Sequence, residues 1–467
     1  MKAKSISDYL SAIDSEEIDV EVEIQNEIKN IEEYNKHLNG FISKFEIQTA
    51  LEISKVSPRT KNSSDLPLFG IPLTIKDNIF LAGQKTTAGS AIFQDFVPLV
   101  NADVVDVALA SGCVPLGKTN MHELAMGATS SSSFFGPVRN PVDSSRISGG
   151  SSGGSAVSVA MAKLPIVSLG TDTGGSVRIP AALCGIYGFK PTTGILSLTG
   201  VFPLSATLDH VGILTKNMSD MRVAFDSLTS IDDRVQGISD SQSSAVSTKV
   251  GIPGKYFFED CEEEVEKAFW KTIDSMRQVG FEVIEDLEIQ GIEKISRTRR
   301  TIQVTEAYWF YQDLVKEEDK RKLVGKDVMS FFEMGSKTGM MEYMVSANER
   351  TSIISSVANA LNKVDFIAIP TCLTTAPKIE DILGREADGI RRQLVRNTEP
   401  FNLCGFPSLT IPSSRPDSSK LPTGIEISGR PLEDSWLLET GERISRLLHH
   451  STDGFEDETT SGSERSS

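Results

Sequence analysis

Residues 146–185 read "RISGGSSGGSAVSVAMAKLPIVSLGTDTGGSVRIPAALCG". Two glycine-serine clusters, Gly149 to Ser155 and Gly174 to Ser176, bracket an apolar run that carries almost no charge. Glycine costs a helix or strand about 0.5–1 kcal/mol relative to alanine, so such clusters mark places where bare backbone approaches something closely. Between them, the small residues of "SAVSVAMA" suit a helix pressed against a sheet. The run "LPIVSLG" suits a strand covered on both faces. Helix and buried strand in immediate succession predict an α/β fold.

The same alternation extends outward. Upstream, Ile24, Ile28, Ile31 and Leu38 share one helical stripe within residues 16–38, which predicts an amphipathic helix. Residues 54–67 read as a loop, and "LFGIPLTIKDNIF" predicts a short buried strand ending near Lys76. "NADVVDVALASG" predicts a helix stopped by Gly112, followed by a strand at Cys113 to Leu116. Downstream, residues 226–248 are polar and read as a linker, and "KVGIP" restarts a strand. Val265, Phe269, Ile273 and Met276 fall on one helical face, "FEVIEDLEI" resumes β structure, and residues 290–362 are helical and charged. "VDFIAIPT", "PSLTIPS" and "TGIEISG" supply late strands before a helix around "SWLLETGERISRLL". Residues 451–467 form a polar, acidic tail expected to be disordered.

Composition excludes several classes. A net charge of -17 disfavours a broad embrace of nucleic acid, which needs a basic face. No apolar run approaches the roughly 18 residues that span a bilayer, and the N-terminus lacks a secretory pattern, so no membrane contact and a cytoplasmic location are expected. The five cysteines, Cys113, Cys184, Cys261, Cys372 and Cys404, are scattered without a CxxC pair. That pattern argues against a disulfide framework or a zinc site, and nothing calls for a metal or organic cofactor.

Three motifs compete for the chemistry. "GCVPLGKT", residues 112–119, satisfies the P-loop pattern letter for letter. A working P-loop follows a strand and opens a helix, whereas here a helix precedes Gly112 and the interior reads as strand, so nucleotide binding is a remote alternative. "GGSSG", residues 149–153, fits the nucleophile elbow, which needs a downstream acid and histidine. Of the five histidines only His210 lies plausibly near a core, and His122 and His210 read as ordinary hydrogen-bonding residues. If serine chemistry operates, a lysine is the better base; it must be neutral, which requires burial or a cationic neighbour. Lys76, at the end of an apolar strand, meets that requirement.

"IKDN", "GGSSGGSA" and "GTDTGGSVRIP", in that order and at that separation, resemble the amidase signature family. The resemblance runs from about residue 66 to residue 215, through "GKTNMHELAMG", "FGPVRNP", "CGIYGFKPTTG" and "PLSATLDHVG". It continues through "IAIPT" and "PFNLCGFPSLTIP". It implies one large mixed β-sheet covered by helices on both faces, in a single domain over residues 1–450. Its core would be residues 66–225 and 364–450, with a variable substrate-pocket region at 249–363. It further implies a Ser-Ser-Lys triad hydrolysing a carboxamide: Ser176 as nucleophile, Ser151 as relay after a cis bond from Gly150, and Lys76 as base. The amides of Thr173, Gly174, Gly175 and Ser176 would form an oxyanion hole, with Asp172 and Arg178 bracing the loop.

The family holds both stand-alone amidases and the A component of glutamyl-tRNA or aspartyl-tRNA amidotransferases, which takes ammonia from glutamine for partner subunits. Those components hold glutamine with a tyrosine, an arginine and an aspartate in recognisable contexts. In "LVRNTEPFNLCG" the aspartate position is Val395, and the other two contexts do not appear between residues 290 and 362. The favoured expectation is therefore an amidase acting alone on a small amide substrate, with a homodimer as one assembly open to it. The amidotransferase component, with its partner subunits, is the alternative.

Overall fold

The short apolar runs become strands of a single sheet. The computed structural model describes residues 4–55, 66–229, 248–382, 389–413 and 421–450. In chain order the strands are β1 (Phe41–Lys44), β2 (Pro72–Lys76), β3 (Val114–Thr119), β4 (Val167–Asp172), β5 (Tyr187–Lys190), β6 (His210–Thr215), β7 (Lys249–Pro253), β8 (Glu282–Leu287), β9 (Phe366–Pro370), β10 (Ser408–Pro412) and β11 (Gly424–Ser428). They lie side by side as β1-β3-β2-β4-β6-β5-β10-β11-β9-β7-β8. Parallel pairs (β2 with β3 and β4, β7 with β8 and β9) mix with antiparallel ones. Every residue of β2 to β6 is buried, as a sheet covered by helices on both faces requires. The outer strand β8 instead exposes Glu282, Glu285 and Asp286, charges that protect an unpaired edge.

Helices follow the predicted periodicities. Val20–Leu38 buries Ile24, Ile28, Ile31 and Leu38, and Glu263–Gln278 buries Val265, Phe269, Ile273 and Met276. Helix Gly153–Met161 packs on β2, β3, β4 and β6, while helix Met218–Thr229 covers β4 to β6 and helix Asp434–His450 covers β10 and β11. Residues 290–362 form mainly two long helices, Ile295–Lys316 and Met340–Leu361, joined through Lys326–Lys337.

Three boundaries differ from expectation. β3 runs on through Thr119, because Gly117 and Lys118 are accommodated inside the sheet. Residues 226–229, read as linker, close a helix through Leu228 and Thr229, which are buried; the rest of that linker and the acidic tail lie outside the described residues. Finally, β7 and β8 arise from the region expected to be variable, yet extend the common sheet beside β9.

The topology fixes where chemistry can occur. β2 and β4 are parallel neighbours in the register Leu73–Val167 and Ile75–Leu169. Their last residues, Lys76 and Asp172, therefore emerge at the same sheet edge, beyond the carboxyl ends where α/β sheets place their ligand sites.

Candidate active site

Strand alternation puts Thr74 and Lys76 on one face of β2. Thr74 Oγ1 lies 2.8 Å from Ser158 Oγ, so that face looks onto helix Gly153–Met161, whose approach contains Ser151 and Ser152. The peptide between Gly150 and Ser151 is cis, as the resemblance implies. Lys76 Nζ then sits 2.8 Å from Ser151 Oγ, 2.7 Å from Thr171 Oγ1 and 3.4 Å from the Thr171 carbonyl. Lys76 and Ser151 are both fully buried. Burial pushes the lysine amine down from its ordinary value to about 7, against the opposing pull of Asp172 and Asp209. An amine in that range is available as a base near neutrality.

The second glycine cluster links β4 to helix Arg178–Cys184. Asp172 shapes it by accepting from the amides of Gly175 (2.7 Å) and Val177 (3.1 Å). It also accepts from Arg178 Nε (3.1 Å) and Nη2 (3.0 Å). Burial alone would raise the Asp172 carboxyl, but the Arg178 guanidinium overrides it and holds the group well below the usual carboxylate range. Arg178 also donates to Glu426 Oε1 at 2.6 Å and to the Thr398 carbonyl at 3.0 Å. Asp172 and Arg178 thus lie paired and fully buried next to the loop. Gly175 differs from expectation: its amide is taken by Asp172, while among the described residues none accepts from the amides of Thr173, Gly174 or Ser176. Three donors of the expected four are thus without an acceptor among the described residues.

Gly175 is required at its position. Its φ is +125°, and a methyl group there would overlap the hydroxyl of Thr398, which donates to the Gly174 carbonyl at 2.6 Å. The two clusters are joined where the Ser152 amide donates to the Ser176 carbonyl at 3.1 Å.

Ser176 is 8% exposed and lines a cleft of about 20 Å³ with Thr173, Gly174, Leu204, Arg299 and Gln303. That space holds about one water molecule. Arg299, Arg391 and Val395 line both this cleft and an adjoining chamber of about 840 Å³. The cleft beside Ser176 and the chamber thus meet along these three residues.

Several neighbours are not among the site residues expected from the sequence. Thr171 receives Lys76, and Asp209 accepts from Thr173 Oγ1 at 2.5 Å, its carboxyl raised by burial to about 6. Arg299 donates to Glu399 at 2.7 Å and also to Gln303. Asn402 donates to Asp172 Oδ1 at 2.8 Å. Thr171, Asp209 and Asn402 fall inside strings quoted above, "GTDTGGSVRIP", "PLSATLDHVG" and "PFNLCGFPSLTIP", whereas Arg299 and Gln303 fall in none.

The competing motifs resolve. The neighbour of Ser151 is Lys76 and not an imidazole, while His210 lies 2.8 Å from both the Leu208 carbonyl and Thr193 Oγ1, as an ordinary hydrogen-bonding residue would. "GCVPLGKT" is overturned as a phosphate cradle: most of it is β3, and Lys118 is buried, donating to the Ile79 carbonyl at 2.5 Å with Asp77 at 3.5 Å. Among the described residues no group of three or more His, Cys, Asp or Glu could hold a metal ion. No helix among them is long and apolar enough to cross a membrane.

A model of the amidase family matches residues 24–438. This chain belongs to the amidase family. Amidase chemistry, hydrolysis at a carboxamide, comes with that membership. The match begins well upstream of residue 66, where the sequence resemblance starts. Among amidase relatives, the A component of the glutamyl-tRNA(Gln) amidotransferase of Methanosarcina barkeri is 35% identical over 449 residues, covering 89% of this chain and 91% of the relative. The corresponding component from Fusobacterium nucleatum is 30% identical, covering 93% and 94%. Among solved structures, an amidase superposes with a TM-score of 0.83 at 29% identity, covering 96% of this chain and 99% of that one. The A component of the glutamyl-tRNA(Gln) amidotransferase from Thermotoga maritima does so with 0.79 at 29% identity, covering 96% and 94%.

Proposed function

We propose that this amidase works through an acyl-Ser176 intermediate with Ser151 as relay and Lys76 as base. One observation carries the reading: a fully buried lysine, its amine lowered to about 7, stands 2.8 Å from Ser151 Oγ. Neutral Lys76 takes the Ser151 proton as Ser151 takes that of Ser176, and Ser176 Oγ bonds to the carboxamide carbon. The amides of Thr173, Gly174 and Ser176 hold the oxyanion. Collapse breaks the C–N bond, the proton returns through Ser151 to the leaving nitrogen, and ammonia or an amine departs. Water, deprotonated by the same relay, then cleaves the ester to give the carboxylate. Asp172 and Arg178 position the loop without reacting.

Two physiological settings fit this chemistry. The side chain of Val395, in the chamber beside Ser176, supports an amidase that acts alone, because an apolar group replaces the aspartate that the resemblance assigns to glutamine. The likeness to amidotransferase A components favours instead a chain that passes ammonia to partner subunits. Ammonia release by the purified chain, with glutamine and simple amides as substrates and Ser176→Ala as blank, separates them. We expect turnover of simple amides that vanishes in Ser176→Ala, by about 10⁴-fold or more. Turnover of glutamine, or silence until partner subunits are added, would favour the amidotransferase, and full activity in Ser176→Ala would overturn the nucleophile.

A further inference from the structure

Thr173, whose amide begins the nucleophile loop, is itself held by its side chain. Asp172 and His210 are register partners at the ends of β4 and β6, so the next residues out, Thr173 and Asp209, meet beyond the sheet. Asp209 Oδ1 accepts from Thr173 Oγ1 at 2.5 Å. Its other oxygen accepts from the amides of Leu204 (2.8 Å) and Ser205 (2.9 Å), and its own amide donates to the Ser205 carbonyl at 2.8 Å. The position of Asp209 therefore depends on where Leu204 and Ser205 lie. Helix Ile295–Lys316 holds that segment in turn. Glu306 accepts from Ser205 Oγ at 2.5 Å, from the Thr207 amide at 3.0 Å and from the Thr207 hydroxyl. Tyr343, from helix Met340–Leu361, donates to the same carboxylate at 2.8 Å, and Tyr311 donates to the Pro203 carbonyl at 2.7 Å. Hydrogen bonds to a carboxylate are short and roughly twice as strong as neutral ones, so Glu306 is the strongest tie on residues 205–207.

Arg299 and Gln303, on the same helical face as Glu306, line the cleft with Thr173, Leu204 and Ser176, whereas Glu306 does not. Its influence on the chemistry must run through its neighbours. We propose that Glu306 is a positioning residue for acyl transfer: it pins residues 205–207, these set Asp209, and Asp209 fixes Thr173 so that the Thr173 amide points at the oxyanion. The inference rests on the proposed oxyanion role of that amide and on Ser176 as nucleophile.

A small alkyl fluorophosphonate reads this geometry whatever the natural amide is. Ser176 Oγ bonds to phosphorus, the P–F bond breaks and fluoride leaves, the serine proton passes through Ser151 to Lys76, and the phosphoryl oxygen takes the oxyanion position. Intact-mass kinetics on the full-length chain, with Ser176→Ala as blank, give the maximal labelling rate and the half-saturating concentration separately. Glu306→Leu should lower the maximal rate by about 10- to 100-fold while the half-saturating concentration stays within about threefold. Glu306→Gln, which keeps the length and one of the two acceptor oxygens, should lose less. Added to Asp209→Asn, Glu306→Leu should cost little more than Asp209→Asn alone, because both act through one chain of contacts. Thr207→Val and Tyr343→Phe each delete one hydroxyl of the clamp and should slow labelling by about threefold, which carries the test should Glu306→Leu fail to fold. Wild-type rates in Glu306→Gln and Thr207→Val, or losses at Glu306 and Asp209 that simply add, overturn the clamp and leave the labelled Ser176 standing as nucleophile. A raised half-saturating concentration at an unchanged maximal rate overturns it too, by assigning Glu306 to binding. A wild-type chain that takes no label at Ser176 overturns nucleophile and clamp together.

Discussion

Lys76 is the residue on which the proposed chemistry turns, and its titration makes two predictions. As a base it must be neutral, so kcat/KM should rise as pH passes upward through about 7, with one proton on the acid limb. A profile flat from acid to alkaline pH would remove the neutral-lysine mechanism. Stability moves in the same direction: between about 7 and its ordinary value of 10.5 the unfolded chain holds a proton that the folded chain does not, so stability rises with pH across that window. Lys76→Met has no such group. Its stability relative to wild type should be greatest below pH 7 and shrink toward 10.5, while turnover falls by about 10³-fold or more; urea titrations across that range read the difference. Ser176, Ser151 and Lys76 are legible in the sequence because each sits inside a short local string. Their partners are not, since Thr398 and Asn402 meet the nucleophile loop from 224 and 230 residues away.

Among the elements, the loop from β4 into helix Arg178–Cys184 is the most constrained. Gly175→Ala places a methyl group in a left-handed backbone conformation and against Thr398. We expect a loss of about 1–3 kcal/mol in denaturant unfolding together with reduced turnover. The double variant with Thr398→Ala should recover part of that loss; strict additivity of the two costs would show that Thr398 is not the obstruction. The helical stripes and buried strands around this loop are readable from period alone. β3 reads too short because Lys118 breaks the apolar run, and the Asp77 carboxylate that makes its burial tolerable comes from another strand's end. The helix Ile295–Lys316 could be placed, but not the fact that its Arg299 reaches the Gly174 backbone.

Across the whole molecule, Arg178 ties the first half of the chain to the last: its guanidinium joins Asp172 at the end of β4 to Glu426 in β11, all three fully buried. Arg178→Leu would leave two buried carboxylates without their cation and should cost about 3–5 kcal/mol. Arg178→Lys should rescue little, because an ammonium cannot reproduce the fork. Full stability of either variant by thermal unfolding would refute the brace. By itself, the sequence determined the α/β alternation, the family, the triad candidates and the excess of negative charge, all of which are set by local strings, local periods or composition. Only the tertiary structure decided that Lys76 is desolvated beside Ser151, that the Gly175 amide belongs to Asp172, and that Arg299 and Arg391 line the cleft beside Ser176. Burial, hydrogen-bond commitment and local field depend on groups brought together from distant segments, and no local pattern encodes them.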